Sequence, residues 1–115
     1  MHEASIASNV IQSVLRLVEA GTVPGKVAAV HLKIGKLSAV VPDNLTFMFG
    51  VLCQDGPLAG VRLEIEEVPA RVACDACGAQ VELQDEIRLT CRQCASTQTR
   101  LVSGRELLID SVEVE

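Results

Sequence analysis

Four of the five cysteines are spaced to hold a single metal ion. Cys74 and Cys77 are separated by two residues, as are Cys91 and Cys94, and thirteen residues lie between the pairs. Each Cys-x-x-Cys can close a tight knuckle that aims two sulfurs at a point about 2.3 Å away, and two facing knuckles complete a tetrahedron of thiolates around Zn²⁺. The competing readings are two disulfides, an iron–sulfur centre, or buried inert thiols. An odd count of five cysteines cannot pair completely, and a reducing compartment disfavours disulfides, so metal binding leads. No further polar ligand is required, which makes the site closed and structural rather than catalytic. Gly78, directly after the first pair, supplies the conformational freedom such turns need at positive φ, whereas Ala95 at the equivalent place after the second pair does not.

A second group of donors stands at the start of the chain. The α-amino group of Met1 titrates near neutral pH, and the deprotonated amide and imidazole of His2 lie beside it. Together they can form fused five- and six-membered chelate rings, with the amide of Glu3 as the nearest fourth nitrogen. Four nitrogens in a plane suit Ni²⁺ or Cu²⁺, whereas Zn²⁺ has no electronic preference for that arrangement. Taken alone, an opening Met-His-Glu is a short signal that chance can also supply. The only other histidine, His31, occupies the polar parity of a strand beside Lys33 and reads as a solvated surface residue. Cys53 sits in an apolar helical stripe and reads as a small buried hydrophobe.

Composition limits what else the chain can be. With 115 residues, 49% of them hydrophobic, it suits one modest core, and with no Trp or Tyr and only Phe47 and Phe49, that core is built from Val, Leu, Ile and Ala. The formal net charge is −5, and four thiolates on one Zn²⁺ add two more negative charges, so the phosphate backbone of a nucleic acid is an unfavoured partner. Basic residues do not cluster and the cysteine segment has no stacking aromatics. The fifteen Asp and Glu residues fall on solvent-facing parity or in turns, and no nucleophile and base share a motif, so an enzyme is not indicated. No apolar stretch approaches the roughly 20 residues needed to span a bilayer, and no basic-then-apolar leader opens the chain. The expectation is a cytoplasmic protein without membrane or nucleic-acid partners.

The elements that must position these donors follow from hydrophobic periodicity. Between Ser5 and Ala20, residues Ile6, Val10, Val14, Leu17 and Val18 form one face of a helix that Gly21 stops. Lys26 to Ile34 alternates as a half-buried strand, with Ala28, Val30, Leu32 and Ile34 on one face and Val27, Ala29, His31 and Lys33 on the other. Pro42 to Asn44 opens a second helix with the stripe Leu45, Met48, Phe49 and Leu52, ending near Gly56 and Pro57, although Gly50 weakens it by about 1 kcal/mol. Val61 to Val68 alternates as a strand that Pro69 ends. The tail from Glu106 to Glu115 is a third strand whose apolar residues change parity between Ile109 and Val112, which a bulge or burial on both faces would reconcile. The expected architecture is α+β: a small three-stranded sheet with two helices on one face, built from 1–69 and 104–115, with a zinc-ribbon-like domain over 70–103 inserted. That insert is poor in long apolar runs and needs a staple.

The opening Met1-His2-Glu3, the stretch Leu32-Lys33-Ile34-Gly35, the paired Cys-x-x-Cys knuckles and the run Ser103-Gly104-Arg105-Glu106-Leu107 together resemble the HypA/HybF family of hydrogenase nickel incorporation proteins. The resemblance covers essentially the whole chain. It implies a metallochaperone without catalytic turnover, which delivers nickel to the large subunit of a [NiFe] hydrogenase together with a nickel-handling GTPase and in some cases also serves urease maturation proteins. It implies nickel as cargo at Met1 and His2, with Glu3 contributing its amide or tuning the site, and structural zinc on Cys74, Cys77, Cys91 and Cys94. The second knuckle departs from the family pattern, lacking the Pro after Cys91 and the Gly after Cys94. The alternative reading is a zinc-ribbon interaction module without nickel transfer.

Overall fold

The computed structural model describes residues 3–83, 90, 91 and 93–115. In chain order the elements are helix α1 (Glu3–Glu19), strand β1 (Val27–Gly35), a 3₁₀ turn (Lys36–Ser38), helix α2 (Pro42–Leu52), and strands β2 (Arg62–Val68), β3 (Arg71–Cys74), β4 (Gln80–Glu82), β5 (Thr99–Ser103) and β6 (Leu107–Val114). The chain divides into two compact units, one of Met1–Lys33, Ala39–Glu66 and Leu108–Glu115, the other of Ile34–Ser38 and Glu67–Leu107. The architecture is the α+β one read from the sequence: two helices, a three-stranded sheet in the order β2-β1-β6, and a second three-stranded sheet carrying the cysteines in the order β4-β3-β5.

In the first unit the apolar stripe of α1 buries Ile6, Ala7, Val10 and Val14. The helix stops because Gly21 takes a φ of 74°, so that the N–H of Thr22 can reach back to the carbonyl of Leu17 at 3.0 Å and that of Gly21 to Val18 at 3.1 Å. This pairing satisfies carbonyls that the helix end would otherwise leave open. Pro42 starts α2 because its fixed φ suits a first turn, while Val41 before it is held extended. Helix α2 packs against α1 and buries Leu45 and Phe49, each contributing about 1.5–3 kcal/mol.

Two features of this unit differ from the periodicity and a third follows it. Leu52, expected on the buried stripe, is 46% exposed, because α2 ends there and Cys53 turns inward instead, its N–H bonded to the Phe49 carbonyl at 2.9 Å. In β1 the buried residues are Val27, Ala29, Val30, Leu32 and Ile34, so the inward parity changes between Ala29 and Val30 and the two residues before the change are buried rather than solvated. In β6 the half-buried positions are Ile109 and Val112, three apart, which is the parity change the apolar residues of the tail required.

In the second unit β3 pairs antiparallel with both neighbours, placing Val72 opposite Val81 on one side and Leu101 on the other. Among the described residues its core is Ile34, Ala70, Val72, Ala73 and the thiols of Cys74 and Cys91, which is small for a free-standing fold. The same unit holds a close backbone crossing. A Cβ added at Gly35 would lie 2.0 Å from the carbonyl oxygen of Gly104, so only glycine fits. Four hydrogen bonds fix this crossing: Gly35 N–H to the Glu106 carbonyl at 2.8 Å, Leu37 N–H to the Gly104 carbonyl at 2.7 Å, Gly104 N–H to the Glu106 carboxylate at 2.7 Å, and the Ser103 hydroxyl to the Pro69 carbonyl at 2.8 Å.

Candidate metal centre

The two knuckles are built alike. In the first, Cys74 ends β3, its N–H donates to the Ala79 carbonyl at 2.8 Å, and Gly78 N–H returns to the Cys74 carbonyl at 2.9 Å. In the second, Cys91 N–H donates to the Ser96 carbonyl at 2.9 Å and Ala95 N–H to the Cys91 carbonyl at 2.8 Å. The residue that closes each turn is left-handed, Gly78 at a φ of 77° and Ala95 at 59°. Ala95 therefore adopts the backbone its side chain disfavours, at a cost of about 1 kcal/mol. The N–H of Asp75, bonded to the Gln98 carbonyl at 2.9 Å, ties the first knuckle to the chain leaving the second.

This brings all four sulfurs together. Cys74 Sγ lies 3.6 Å from Cys94 Sγ, Cys77 Sγ lies 3.6 Å from Cys91 Sγ, and all four fall within 4.8 Å of one another. A tetrahedron of sulfurs about 2.3 Å from a central ion has edges of about 3.8 Å, so the spacing is that of a coordination shell. It is far from the roughly 2.05 Å of a disulfide, and all five cysteines are free thiols. Cys74 and Cys91 are buried, while Cys77 and Cys94 face solvent.

The backbone makes the four thiols unequal. N–H groups of Cys94 and Gln93 point at the Cys91 sulfur and hold its pKa down at about 6. Cys74 is also lowered, chiefly by the Cys77 N–H. The Ser96 N–H works in the same direction on Cys94, but the sulfur of Cys74, loss of water contact and the sulfurs of Cys91 and Cys77 outweigh it and push Cys94 up to about 12. For Cys77 the Ala79 N–H is likewise outweighed by the Cys91 sulfur, desolvation and Cys74, and its pKa rises. An arrangement that ionises some thiols and crowds the rest calls for a cation at its centre. A soft tetrahedral sulfur set suits zinc or iron–sulfur chemistry, and with four protein ligands it offers no open position to a substrate.

Of the other residues singled out in the sequence, Met1 and His2 lie outside the described residues. Glu3 opens α1, where a carboxylate suits the positive end of the helix dipole. His31 is on the surface, its Nε2 3.2 Å from Glu113 Oε1. Cys53 is buried, and burial pushes its thiol up, away from reactivity. Two features were not anticipated. One is the Gly35–Gly104 crossing, which joins two stretches far apart in sequence. The other is Phe47, which is 69% exposed, and the only signal for it was that it falls off the Leu45–Phe49 stripe. No helix among the described residues is long and apolar enough to cross a membrane.

Fold and site together define a small α+β metal-binding protein with a four-cysteine centre. The family model described as "Hydrogenase/urease nickel incorporation, metallochaperone, hypA" matches residues 1–114, and the chain belongs to that family. It is 41% identical over 114 residues to a hydrogenase maturation factor HypA from Chloroflexus aurantiacus, covering 98% of each chain. It is 39% identical over 115 residues to one from Desulfosudis oleivorans, covering 100% of this chain and 99% of that one. The solution structure of the Ni metallochaperone HypA from Helicobacter pylori superimposes with a TM-score of 0.67 at 21% identity, over 99% of this chain and 97% of that one, a likeness of fold.

Proposed function

We propose that this protein is a nickel metallochaperone, acting without catalytic turnover in the cytoplasm, that loads Ni²⁺ at its amino terminus and passes it to the large subunit of a [NiFe] hydrogenase. The ligands in this reading are the α-amino group of Met1, the amide and imidazole of His2, and the amide of Glu3. Cys74, Cys77, Cys91 and Cys94 hold zinc as a structural staple. The domains are a nickel-binding one over 1–69 and 104–115 and a zinc-binding one over 70–103. The partners are a nickel-handling GTPase, the hydrogenase large subunit and urease maturation proteins. The observation that carries the reading is the full-length family match on a chain whose sulfur donors are gathered in a closed shell. With the thiolates committed there, a nitrogen site is the remaining place for a metal that must leave again.

The test is nickel titration by calorimetry of the untagged protein, a version with one extra residue before Met1, and His2→Ala. The untagged protein binds one equivalent, and the other two lose at least tenfold in affinity. Equal stoichiometric binding by all three would refute the amino-terminal site, and absence of nickel binding by the untagged protein would leave a zinc-ribbon interaction module. Because the amine and imidazole both take up protons between roughly pH 6 and 8, affinity falls steeply from pH 7.5 to 6.

A further inference from the structure

A surface helix has one apolar face, and a helix that is apolar all round is covered on both sides. Helix α2 lies between the two kinds: Asp43, Asn44 and Thr46 are polar and exposed, but apolar residues stand among them on the same side. Leu45 and Phe49 are buried, yet Phe47 is 69% exposed and Val51, one turn on, is 45% exposed. Phe47 is one of only two aromatic residues in the chain. Gly50 lies between them on the open side, where an added Cβ would meet nothing within 4 Å. Beside Phe47 is a cavity of about 350 Å³ lined by Glu3, Ala4, Asn44, Phe47 and Met48.

We propose that this outer face of α2, with the cavity beside Phe47, is a docking surface for a cationic amphipathic helix of a partner protein. The i, i+4 spacing of Phe47 and Val51 is that of a helix stripe, which a second helix covers by laying its own apolar stripe along it. Charge chooses the occupant. Asp43 in the first turn of α2 and Asp55 just past its end are exposed and bracket the stripe, Glu3 lines the cavity, and none of the three has an ion-pair partner among the described residues. A second copy of this chain would bring these carboxylates against their own kind on a protein of net charge −5, whereas lysines at both ends of a partner's apolar stripe meet them favourably. If nickel loads at Met1 and His2, a point that rests on the reading above, a helix seated against Glu3 lies next to the metal.

The probe is a synthetic 18-residue helical peptide with a leucine stripe and lysines at both ends, its affinity for the zinc-loaded full chain measured by fluorescence anisotropy without nickel. The expected result is at least a tenfold loss with Phe47→Asp, a few-fold loss with Val51→Ala, and no change with Val102→Asp, an exposed apolar position on β5. A peptide with glutamates in place of the lysines binds at least tenfold more weakly, and the double variant Asp43→Lys, Asp55→Lys reverses that preference. Unchanged binding by Phe47→Asp, equal binding of the two peptides, or a concentration-dependent dimer that Phe47→Asp abolishes would each overturn the proposal, the last by assigning the face to a second copy. Since no nickel is present, failure here is distinct from failure of the amino-terminal site.

Discussion

At Ala95 the backbone holds a φ of 59° that a methyl-bearing residue adopts reluctantly, while Gly78 makes the same turn freely at 77°. Ala95→Gly should therefore stabilise the zinc-loaded protein by about 0.5–1 kcal/mol in urea unfolding, and a loss of stability would contradict the left-handed assignment. The unequal thiols make a second prediction. At pH 7 Cys91, with a pKa of about 6, is already ionised, whereas Cys94 at about 12 and Cys77, also raised, are protonated. Zinc binding must displace at least the protons of Cys77 and Cys94, so calorimetry in buffers of different ionisation enthalpy should report two or more protons released, and none would count against the shell. The four cysteines that the structure gathers were legible because their spacing within each pair is local. The backbone of Ala95 was not, because it is set by the hydrogen bonds of the completed knuckle, Cys91 N–H to Ser96 and Ala95 N–H to Cys91.

Elements were legible where one face is buried and ambiguous where neither or both are. The stripe of α1 and its Gly21 stop could be read directly, as could the alternation of β2. Helix α2 misled at Leu52 because apolar residues stand on both its buried and its exposed side, and periodicity alone cannot say where the covered face ends. Gly50 faces open space, so Gly50→Ala should raise stability by about 1 kcal/mol, checked by thermal or urea unfolding. Gly35→Ala should do the reverse, costing several kcal/mol or abolishing folding, because the new methyl would meet the Gly104 carbonyl. That meeting of the Gly35 and Gly104 stretches could not be foreseen, since a contact across some seventy residues leaves no local period.

For the whole molecule, a metal ion held by the four cysteines would link folding to pH. In the metal-bound state the four thiolates carry no protons, and on unfolding with release of metal they take protons up below roughly pH 8.5. The unfolded state then binds more protons, so stability rises with pH and is lost as pH falls. The melting temperature of the zinc-loaded protein should drop between pH 8 and 6, and chelation at constant pH should lower it further. A melting temperature indifferent to both would mean that the metal is not a staple. With two metals in two chemically distinct sites, as proposed, X-ray absorption on protein carrying both reads each separately. The expected result is a zinc edge with four sulfurs at about 2.3 Å and a nickel edge with planar nitrogen ligation and no sulfur. Sulfur in the nickel shell would contradict it, because nickel would then be held by the cysteine centre rather than by Met1 and His2.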